Sequence, residues 1–294
     1  MAKLLLGKEV TDALNGELQS RTAALREKGI VPTLAIIRVG ENPSDLSYEK
    51  GAAKRAELVG VEVKKFQLPE DATKEAVEAV IDAVNEDVTI HGCLMFQPFP
   101  KHLRPFQSQL CNRLDPKKDM DCLTDLSASG VYLGRSDLGY PPCTPAACME
   151  ILHHYGIDCA GKSVAVIGRS AVVGKPAAMM LLQRNATVTI CHTKTVNTAE
   201  VCRNADIILS AAGKLNSLTA DFVRPGQTII DVSINWDEHK PNARGGKGAI
   251  AGDAAFEEVE KIVEAITPVP GGVGSVTTAM LAKHVVEAAE KTAE

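Results

Sequence analysis

The sequence predicts an α/β protein of two domains, each built on a parallel sheet with helices on both faces. Three observations lead to this fold class. Short apolar, β-branched runs alternate with longer amphipathic segments, which is typical of βαβ units. The chain has 294 residues, enough for two domains, and a proline-rich stretch at 141–145 is predicted as a linker. A buried strand, a glycine turn and a helix start then follow one another at 163–182, as in a Rossmann-like domain.

The first domain is assigned from apolar periodicity, helix caps and glycine stops. The expected elements are a helix over 7–28 ended by Gly29, a strand Thr33–Val39, a helix to Val59 closed by Gly60, a strand Val61–Leu68, a helix from Thr73 to Glu86 and a strand Ile90–Phe96. Residues 115–125 are polar and are predicted as a loop. Because helices connect the strands, we expect the strands to pair in parallel.

The second domain follows the linker, with Thr144 as the expected N-cap and Pro145 at the start of a helix to about Tyr155. Its strands are predicted at Ser163–Ile167, Ala186–Cys191, Ala205–Ser210, Thr228–Val232 and Gly248–Ala251. A last helix over about 275–290 is expected to pack back on the first domain. The expected boundaries are 1–142 plus 275–294 for the first domain and 143–274 for the second.

The turn after strand Ser163–Ile167 is the first candidate site. It contains Gly168 and Gly174, and Pro176 lies in the first turn of the next helix, where its missing N–H would be unpaired anyway. Backbone N–H groups and the helix dipole at such a helix start favour an anion. The sequence therefore predicts a dinucleotide pyrophosphate in this turn, although the glycine spacing differs from G-x-G-x-x-G.

The end of the following strand bears on which dinucleotide is bound. NAD sites usually place a carboxylate there, which bonds the ribose 2′-hydroxyl. Here residues 191–195 read Cys-His-Thr-Lys-Thr, without an acidic side chain. A 2′-phosphate would meet hydroxyls and positive charge, with Arg169 as a bidentate partner from the glycine turn. The pattern favours NADP as the cofactor.

Composition and charge argue against several classes of partner. The net charge is −5, which disfavours nucleic acid and anionic membrane surfaces. No apolar run approaches the ~18 residues of a membrane span, and residues 1–7 are too short for a signal peptide. The eight cysteines include no C-x-x-C pair, and His192 beside Cys191 has no further ligands at zinc spacing. We therefore expect a cytoplasmic protein with no bound metal.

Several motifs occur in order along nearly the whole chain. They are Val39-Gly40-Glu41-Asn42-Pro43-Ser44 with Tyr48, Lys118-Asp119-Met120-Asp121, Gly168-Arg169-Ser170, Val173-Gly174-Lys175-Pro176 and Pro268-Val269-Pro270-Gly271-Gly272-Val273-Gly274. Together they resemble the methylenetetrahydrofolate dehydrogenase/methenyltetrahydrofolate cyclohydrolase family. The resemblance implies NADP on the second domain, a tetrahydrofolate on the first, a cleft between the domains and a homodimer.

The resemblance also implies roles for individual residues. By position, Tyr48 matches the aromatic ring that stacks on the folate, and Asp121 matches the carboxylate that holds the pterin. The positions that match cofactor contacts are Gly168, Arg169, Ser170, Thr193 and Ile234, and those that match the loop lining the folate cleft are Pro270, Gly271 and Gly272.

Two departures from the family pattern concern a catalytic pair. The family usually has a lysine four residues after the tyrosine, on the same helical face, and this position is Ala52. It also usually has a glutamine at the end of the third strand, where this chain has Phe96. Lysines occur at Lys50 and Lys54, two and six residues from Tyr48, and at about 100° per residue both point away from the tyrosine face. Gln97 is shifted by one residue, which turns it to the other strand face.

The two reactions of the family make different demands. Hydride transfer from methylene-tetrahydrofolate to the nicotinamide needs positioning and a carboxylate near the developing cation, a role that suits Asp121. Hydrolysis of the methenyl product needs a positioned acid/base, such as a lysine with a lowered pKa. The expected activity is therefore an NADP-dependent 5,10-methylene-tetrahydrofolate dehydrogenase with weak or absent cyclohydrolase activity.

Three alternatives stay open. A distorted helix and a β-bulge would bring Lys54 and Gln97 to Tyr48 and keep both activities. A non-catalytic folate- or nucleotide-binding protein is a second alternative, against which the intact glycine turn and Asp121 speak. A third, another kind of two-domain NADP dehydrogenase, would lack the Pro-Val-Pro-Gly-Gly-Val-Gly loop.

Overall fold

The chain folds into two compact units in a computed structural model, which describes residues 1–241 and 246–293. One unit comprises Asp12–Cys143 and Thr278–Glu294, and we call it the three-stranded unit after its sheet. The other comprises Met1–Thr11 and Thr144–Thr277, and we call it the six-stranded unit. Both sheets are parallel, which confirms the two-domain α/β fold class.

Strands and helices alternate along most of the described chain. The helices are α1 Gly7–Glu27, α2 Pro43–Val59, α3 Lys74–Glu86, α4 Gln107–Arg113, α5 Asp125–Leu133, α6 Cys143–His154, α7 Gly174–Gln183, α8 Thr198–Asn204, α9 Phe256–Val259 and α10 Val273–Lys291. The strands are β1 Lys3–Leu4, β2 Thr33–Val39, β3 Glu62–Leu68, β4 Gly92–Met95, β5 Ser163–Ile167, β6 Thr187–Cys191, β7 Ile207–Ser210, β8 Thr228–Asp231, β9 Asn235–Pro241, β10 Lys247–Ala251 and β11 Ala265–Ile266.

The three-stranded sheet has the order β3-β2-β4, and its central strand β2 is buried along its whole length. Alternate residues of a strand point to opposite faces. On one face Ala35 and Ile37 form a core with helices α3 and α4. The opposite face carries Arg38, whose guanidinium pairs with Glu49 of α2. Helix α2, which carries the candidate folate residue Tyr48, therefore lies on this second face.

The six-stranded sheet has the order β1-β11-β8-β7-β5-β6. From β5 the chain moves to β6 on one side and then to β7 on the other, so the connections reverse direction at β5. Open parallel sheets bind ligands beyond the carboxyl ends of their strands at such a switch point. The glycine turn that follows β5 occupies this place.

A separate antiparallel pair, β9 and β10, belongs to the same unit. Trp236 pairs with Ile250 across the two strands, and both side chains are exposed. Gly248 has φ +95°, and a Cβ there would lie 2.5 Å from the Trp236 ring. The indole therefore lies over a position that only glycine fills easily.

The structure corrects the expected domain bounds at the N-terminus. Residues 1–11 are expected in the first domain, yet Met1–Thr11 belongs to the six-stranded unit. The reason is strand β1, in which Lys3 and Leu4 pair in parallel with Ala265 and Ile266 of β11 and extend that sheet. Two-residue strands leave no periodicity in a sequence, so this pairing could not be read there.

The start of α6 also differs from the prediction. The helix begins at Cys143, so Thr144 lies inside its first turn and is not its N-cap. The N–H of Cys143 donates instead to the Asp121 carboxylate at 2.8 Å. The capping acceptor thus comes from a loop 22 residues earlier, which local sequence patterns do not indicate.

Helices α4, α5, α8 and α9 and strands β9 and β11 are also absent from the sequence prediction. Helix α5 does carry readable signals, since Thr124 Oγ1 accepts the Ser127 N–H at 3.0 Å and Gly134 closes the helix at φ 70°. Helices α4 and α8 have only 7 residues each, which is too short for a clear amphipathic period.

Candidate active site

The glycine turn packs tightly against the carboxyl ends of β5 and β7. Gly168 has φ +120°, and a Cβ there would lie 2.4 Å from the Ala211 carbonyl oxygen. A Cβ at Gly174 would lie 2.2 Å from the Gly168 carbonyl oxygen. Neither position has room for a side chain, and the two glycines together bring the start of α7 against the end of β5.

Ser170 closes this turn from within. Its Oγ accepts the N–H groups of Val173 at 3.0 Å and Gly174 at 3.3 Å, and its carbonyl accepts the Lys175 N–H at 3.0 Å. The sequence predicts that the N–H groups at this helix start bind a pyrophosphate. In the structure, three of them, those of Val173, Gly174 and Lys175, donate to Ser170. Ser170 therefore shapes the turn, and the adjacent Arg169 extends an exposed side chain from it.

Arg169 and Thr193 follow neighbouring strands at one edge of the six-stranded sheet. Strands β5 and β6 pair Ile167 with Cys191, so the residues two positions further along lie beyond adjacent strand ends. Both side chains are exposed, as is that of Lys194. This edge presents a guanidinium, an ammonium and a hydroxyl, a donor set that favours a phosphate over a ribose hydroxyl.

The other sequence-predicted residues of the six-stranded unit lie on two loops. Ile234 precedes β9 and is 64% exposed. Pro270 and Gly271 are exposed, whereas Gly272 is buried. Gly271 has φ +104° and its carbonyl accepts the Gly7 N–H at 2.8 Å. The structure thus places residues 270–272 in the unit of the glycine turn, and Tyr48 and Asp121 in the other unit.

Tyr48 stands on α2 with the ring of Phe96 beside it. Helix α2 is fixed at its start by Asn42, whose Oδ1 accepts the Ser44 N–H at 3.0 Å. The Tyr48 and Phe96 rings meet edge to face, with centroids 6.0 Å apart and planes at 85°. Ala52, one turn further along α2, is buried. An aromatic ring and a methyl group therefore occupy the positions of the family glutamine and lysine.

Gln97 points to a different neighbour. Its Nε2 donates to Cys111 Sγ at 2.8 Å, and its Oε1 accepts from Gln107 Nε2 at 2.9 Å. Both partners belong to α4, which packs on the face of the sheet opposite to α2. Lys54 is exposed on α2, at roughly 240° round the helix axis from Tyr48. The structure therefore brings Phe96 to Tyr48 and keeps the Gln97 side chain at α4.

Asp121 is presented on the predicted polar loop, which runs beside β4. The Met120 N–H donates to the Cys93 carbonyl at 3.3 Å, which ties the loop to that strand. One Asp121 oxygen accepts the Cys143 N–H. Burial raises the pKa of Asp121 to about 6, an effect opposed by the Cys143 hydrogen bonds and increased by the charge of Asp119. The carboxyl group is therefore harder to ionise than an exposed aspartate.

Two residues of the same motif hold this loop in place, and the sequence analysis assigned them no role. Lys118 Nζ donates to the last carbonyl oxygens of α3 and its cap, those of Val84, Asn85 and Asp87, at 2.7 to 2.9 Å. The fully buried Asp119 carboxylate accepts the Leu123 and Thr124 N–H groups at 2.9 and 2.8 Å. The motif thus combines a helix C-cap, a loop clamp and the presented carboxylate.

A buried ion pair next to Tyr48 was not predicted from the sequence either. Arg38 Nε lies 2.9 Å from Glu49 Oε2, and both side chains are about 5% exposed. Lys65 Nζ reaches the other Glu49 oxygen at 2.9 Å, and the Arg38 guanidinium also donates to the Gly40 carbonyl. Although burial alone would raise it, the hydrogen bonds from Lys65 and Arg38 hold the pKa of Glu49 below its usual value. An arginine inside an apolar strand is the sequence signal for such a pair.

Among residues 1–241 and 246–293, the His, Cys, Asp and Glu side chains form no group of three that would hold a metal ion. In the same part of the chain, no helix combines the length and apolarity needed to cross a bilayer.

Fold and site together define a class of protein. The six-stranded unit carries a glycine turn at a switch point and a phosphate-favouring edge, which are the features of a dinucleotide-binding domain. The three-stranded unit presents an aromatic ring and a carboxyl group with a raised pKa, which are features of a substrate site. The chain thus belongs to the class of two-domain, dinucleotide-dependent α/β enzymes.

Comparison with known proteins identifies the family within this class. Residues 5–121 match the catalytic domain of tetrahydrofolate dehydrogenase/cyclohydrolase, and residues 142–293 match its NAD(P)-binding domain. The chain belongs to the tetrahydrofolate dehydrogenase/cyclohydrolase family. The resemblance inferred from the motifs is therefore confirmed.

Relatives and solved structures cover the chain from end to end. The bifunctional protein FolD of Carboxydothermus hydrogenoformans is 49% identical over 290 residues, 99% of this chain and 98% of the relative. The crystal structure of the bifunctional FolD from Campylobacter jejuni matches with a TM-score of 0.91 and 37% identity, covering 99% of this chain and 100% of that one. FolD from Trypanosoma brucei, complexed with NADP cofactor and an inhibitor, matches with a TM-score of 0.89 and 31% identity, covering 100% and 99%.

Proposed function

We propose that this protein is an NADP-dependent 5,10-methylene-tetrahydrofolate dehydrogenase of one-carbon metabolism whose cyclohydrolase activity is weak or absent. The observation that carries the proposal is the contact between Phe96 and Tyr48, together with the buried Ala52 one turn away. These positions would otherwise supply the polar pair that hydrolysis requires. Membership of an enzyme family and the intact glycine turn argue against a non-catalytic binding protein.

The cofactor assignment fits the donor set of the six-stranded unit. Gly168 and Gly174 allow the close backbone contacts of the turn, and Ser170 holds its shape. Arg169 and Thr193, with exposed side chains beyond adjacent strand ends, are suited to a 2′-phosphate. The exposed Ile234 is assigned to the same cofactor from the resemblance. When bound, NADP accepts the hydride.

The folate half of the reaction is assigned to the three-stranded unit. The half-buried ring of Tyr48 offers a face for the folate to stack on. Asp121 holds the pterin and places a carboxylate near the methylene carbon as positive charge develops there. Pro270, Gly271 and Gly272, which belong to the six-stranded unit, are assigned to the folate from the resemblance alone. Hydride transfer requires no proton to leave through the protein, so these residues position and stabilise but do not exchange protons.

The hydrolytic step has a different requirement. Water must add to the methenyl carbon, a proton must leave and a carbon–nitrogen bond must break, which calls for an acid/base group next to the substrate. Ala52 and Phe96 carry no ionisable or hydrogen-bonding side-chain atom. Gln97 is bonded to Cys111 and Gln107 on α4. We therefore expect the methenyl product to be released without rapid hydrolysis.

A bifunctional enzyme is the second candidate, since the relatives that match over full length are named bifunctional. In that case Lys54 and Gln97 would have to reach Tyr48 during turnover. This requires rotation of α2 and loss of the Gln97 bonds to α4. Lys54→Ala and Gln97→Ala therefore separate the two proposals.

Turnover of methylene-tetrahydrofolate with NADP is expected to yield NADPH and methenyl-tetrahydrofolate in equal amounts, with the methenyl compound accumulating. The absorbance of both products is followed in one cuvette. Lys54→Ala and Gln97→Ala are expected to leave the NADPH rate and the methenyl yield unchanged within about twofold. If NADPH forms without methenyl, and methenyl accumulates only in these two variants, the bifunctional proposal replaces ours.

We further propose that the protein is cytoplasmic, as its composition suggests, and that it forms a homodimer, as the resemblance implies. The β9–β10 hairpin supports pairing with a second copy, because Trp236 is 63% exposed beside the exposed Ile250. Large apolar side chains grouped on a surface are typical of interaction sites.

A further inference from the structure

We propose that His284 is a positioning residue for Asp121 and acts through the main chain of Met120. The inference rests on the proposed function, in which Asp121 meets the folate. His284 lies on α10 within the three-stranded unit and is only 3% exposed, so its ring is not placed to touch a ligand. Its Nδ1 lies 2.9 Å from the carbonyl oxygen of Met120, the residue directly before Asp121.

The protonation of His284 follows from its surroundings. Burial lowers its pKa to about 4, with Lys283 and Lys291 acting in the same direction against the Met120 hydrogen bond, so the ring is neutral at pH 7. A carbonyl oxygen only accepts, which assigns the single ring proton to Nδ1. The Tyr140 ring packs against the imidazole at a centroid distance of 5.3 Å. His284 is therefore a fixed hydrogen-bond donor to Met120.

The Met120 carbonyl has a second donor in Cys143. The Cys143 Sγ lies 3.3 Å from the same oxygen, and its main-chain N–H holds the Asp121 carboxylate. Burial raises the pKa of this thiol well above its usual value, so it keeps its proton and donates. Because an S–H is a weak donor, the imidazole provides the stronger of the two bonds to Met120. His284 and Cys143 together fix both the carbonyl before Asp121 and its carboxylate.

The loop around Asp121 depends on anchors on both of its sides. After it, Cys122 adopts φ +59°, a left-handed conformation that non-glycine residues rarely take. Asp119 clamps that side through the N–H groups that follow Cys122. Before Asp121, the Met120 side chain is fully buried, and a Cβ at Gly92 would lie 2.5 Å from its Cγ. The His284 bond completes this second anchor, so its loss is expected to let the carboxylate move.

Three substitutions of His284 test the proposal. His284→Asn keeps an amide N–H at the position of Nδ1, His284→Gln carries its amide to the position of Nε2, and His284→Leu has no donor. We expect the Gln and Leu variants to raise the KM for methylene-tetrahydrofolate about tenfold, the effect of one lost hydrogen bond, with the KM for NADP unchanged. The Asn variant is expected to stay within about twofold of wild type for both substrates.

Val286→Ala serves as the control for a general loss of stability, because Val286 is buried in the same helix. It is expected to lower the Tm and leave both KM values unchanged. A wild-type KM for methylene-tetrahydrofolate in the Gln and Leu variants would overturn the proposal. An equal rise in the KM values for methylene-tetrahydrofolate and NADP would also overturn it, as would an Asn variant whose folate KM is as high as that of the Gln variant. Where the Leu variant fails to fold, the Asn and Gln pair decides. An unchanged kcat/KM for methylene-tetrahydrofolate in Asp121→Asn would instead overturn the role of Asp121 on which this inference rests. Absence of NADPH formation by the wild-type protein would overturn the proposed function itself.

Discussion

Asp121→Asn is expected to lower kcat/KM for methylene-tetrahydrofolate oxidation about 100- to 1000-fold, the usual effect of removing one preorganised electrostatic group. The substitution keeps the side-chain shape and an oxygen that accepts the Cys143 N–H. It removes the negative charge that we propose stabilises the cation formed as hydride leaves. NADPH formation measures the effect.

Asp125→Asn is the matched control, because this exposed aspartate begins α5 on the same loop and its replacement makes the same change in charge. It is expected to keep wild-type activity within about threefold. An Asp121→Asn enzyme as active as this control would show that Asp121 is not the carboxylate that the reaction uses.

The raised pKa of Asp121 also predicts an acid limb in the pH profile. With a pKa of about 6, the carboxylate is progressively protonated as the pH falls, so kcat/KM is expected to drop through pH 6 and approach a tenfold loss per unit below it. The residual activity of Asp121→Asn should lack this limb. Initial NADPH rates between about pH 5 and 8 measure both profiles, and a flat wild-type profile would contradict the assignment.

This limb is not expected to reflect acid unfolding through Asp121. Since folding raises its pKa, the folded state binds more protons than the unfolded state between the ordinary pKa and 6. The contribution of this group to stability therefore grows as the pH falls through 6 and diminishes as it rises. Burial raises the pKa of Asp231 to about 6 as well, so this second group acts in the same direction.

Arg38→Leu is expected to destabilise the protein by about 3 to 5 kcal/mol, because it removes one partner of a buried ion pair. Glu49 would then remain buried with Lys65 as its only cation among the ion pairs described, and Lys65 is 42% exposed. Glu49→Leu is expected to cost a similar amount, since it leaves the Arg38 guanidinium buried with the Gly40 carbonyl alone as a described acceptor. Chemical denaturation measures both losses.

The double variant Arg38→Leu/Glu49→Leu is the control for this prediction. Removing both charges together leaves no buried ion without a partner, so we expect its stability to lie within about 1 kcal/mol of wild type. The double-mutant cycle should then show a strong coupling between the two residues. Additive losses would mean that the pair does not contribute as a unit.

This ion pair also bears on the missing lysine. Glu49, Ala52 and Ala56 lie on the buried face of α2. The buried carboxylate of Glu49 is neutralised by Arg38 and Lys65. The helix is therefore tied to β2 and β3 by structural charges next to Tyr48. None of these cations lies on α2 one turn beyond the tyrosine, where the family lysine would be.

The sequence was sufficient to predict the fold class because its main strands stand out as short apolar runs. Strands Thr33–Val39 and Ser163–Ile167 were predicted with the bounds that the structure gives them. Both are apolar runs bounded by turn residues, which periodicity identifies well. Gly60 and Thr73 act as the predicted helix stop and start, with φ 79° at Gly60 and a Thr73 Oγ1 that accepts the Ala76 N–H.

Other features depend on partners distant in the chain. Strand β1 exists only through its pairing with β11, and the first residue of α6 is capped by Asp121 from an earlier loop. The roles of Lys118 and His284 follow from backbone carbonyls that the fold brings to them. The Phe96 and Ala52 substitutions could be recognised from the motif. The contact of Phe96 with Tyr48 and the bond of Gln97 to α4 are set by the folded backbone and are not encoded in the motif.

Hydrolysis of methenyl-tetrahydrofolate, added directly to excess purified protein without NADP, tests the central claim most directly. The methenyl absorbance is followed against a buffer blank, so the dehydrogenase step does not enter the measurement. We predict that the protein leaves the hydrolysis rate within about twofold of the blank, because Phe96 beside Tyr48 and Ala52 one turn along α2 supply no acid/base group. Acceleration of about 100-fold or more, the range that a positioned acid/base provides, would contradict the account.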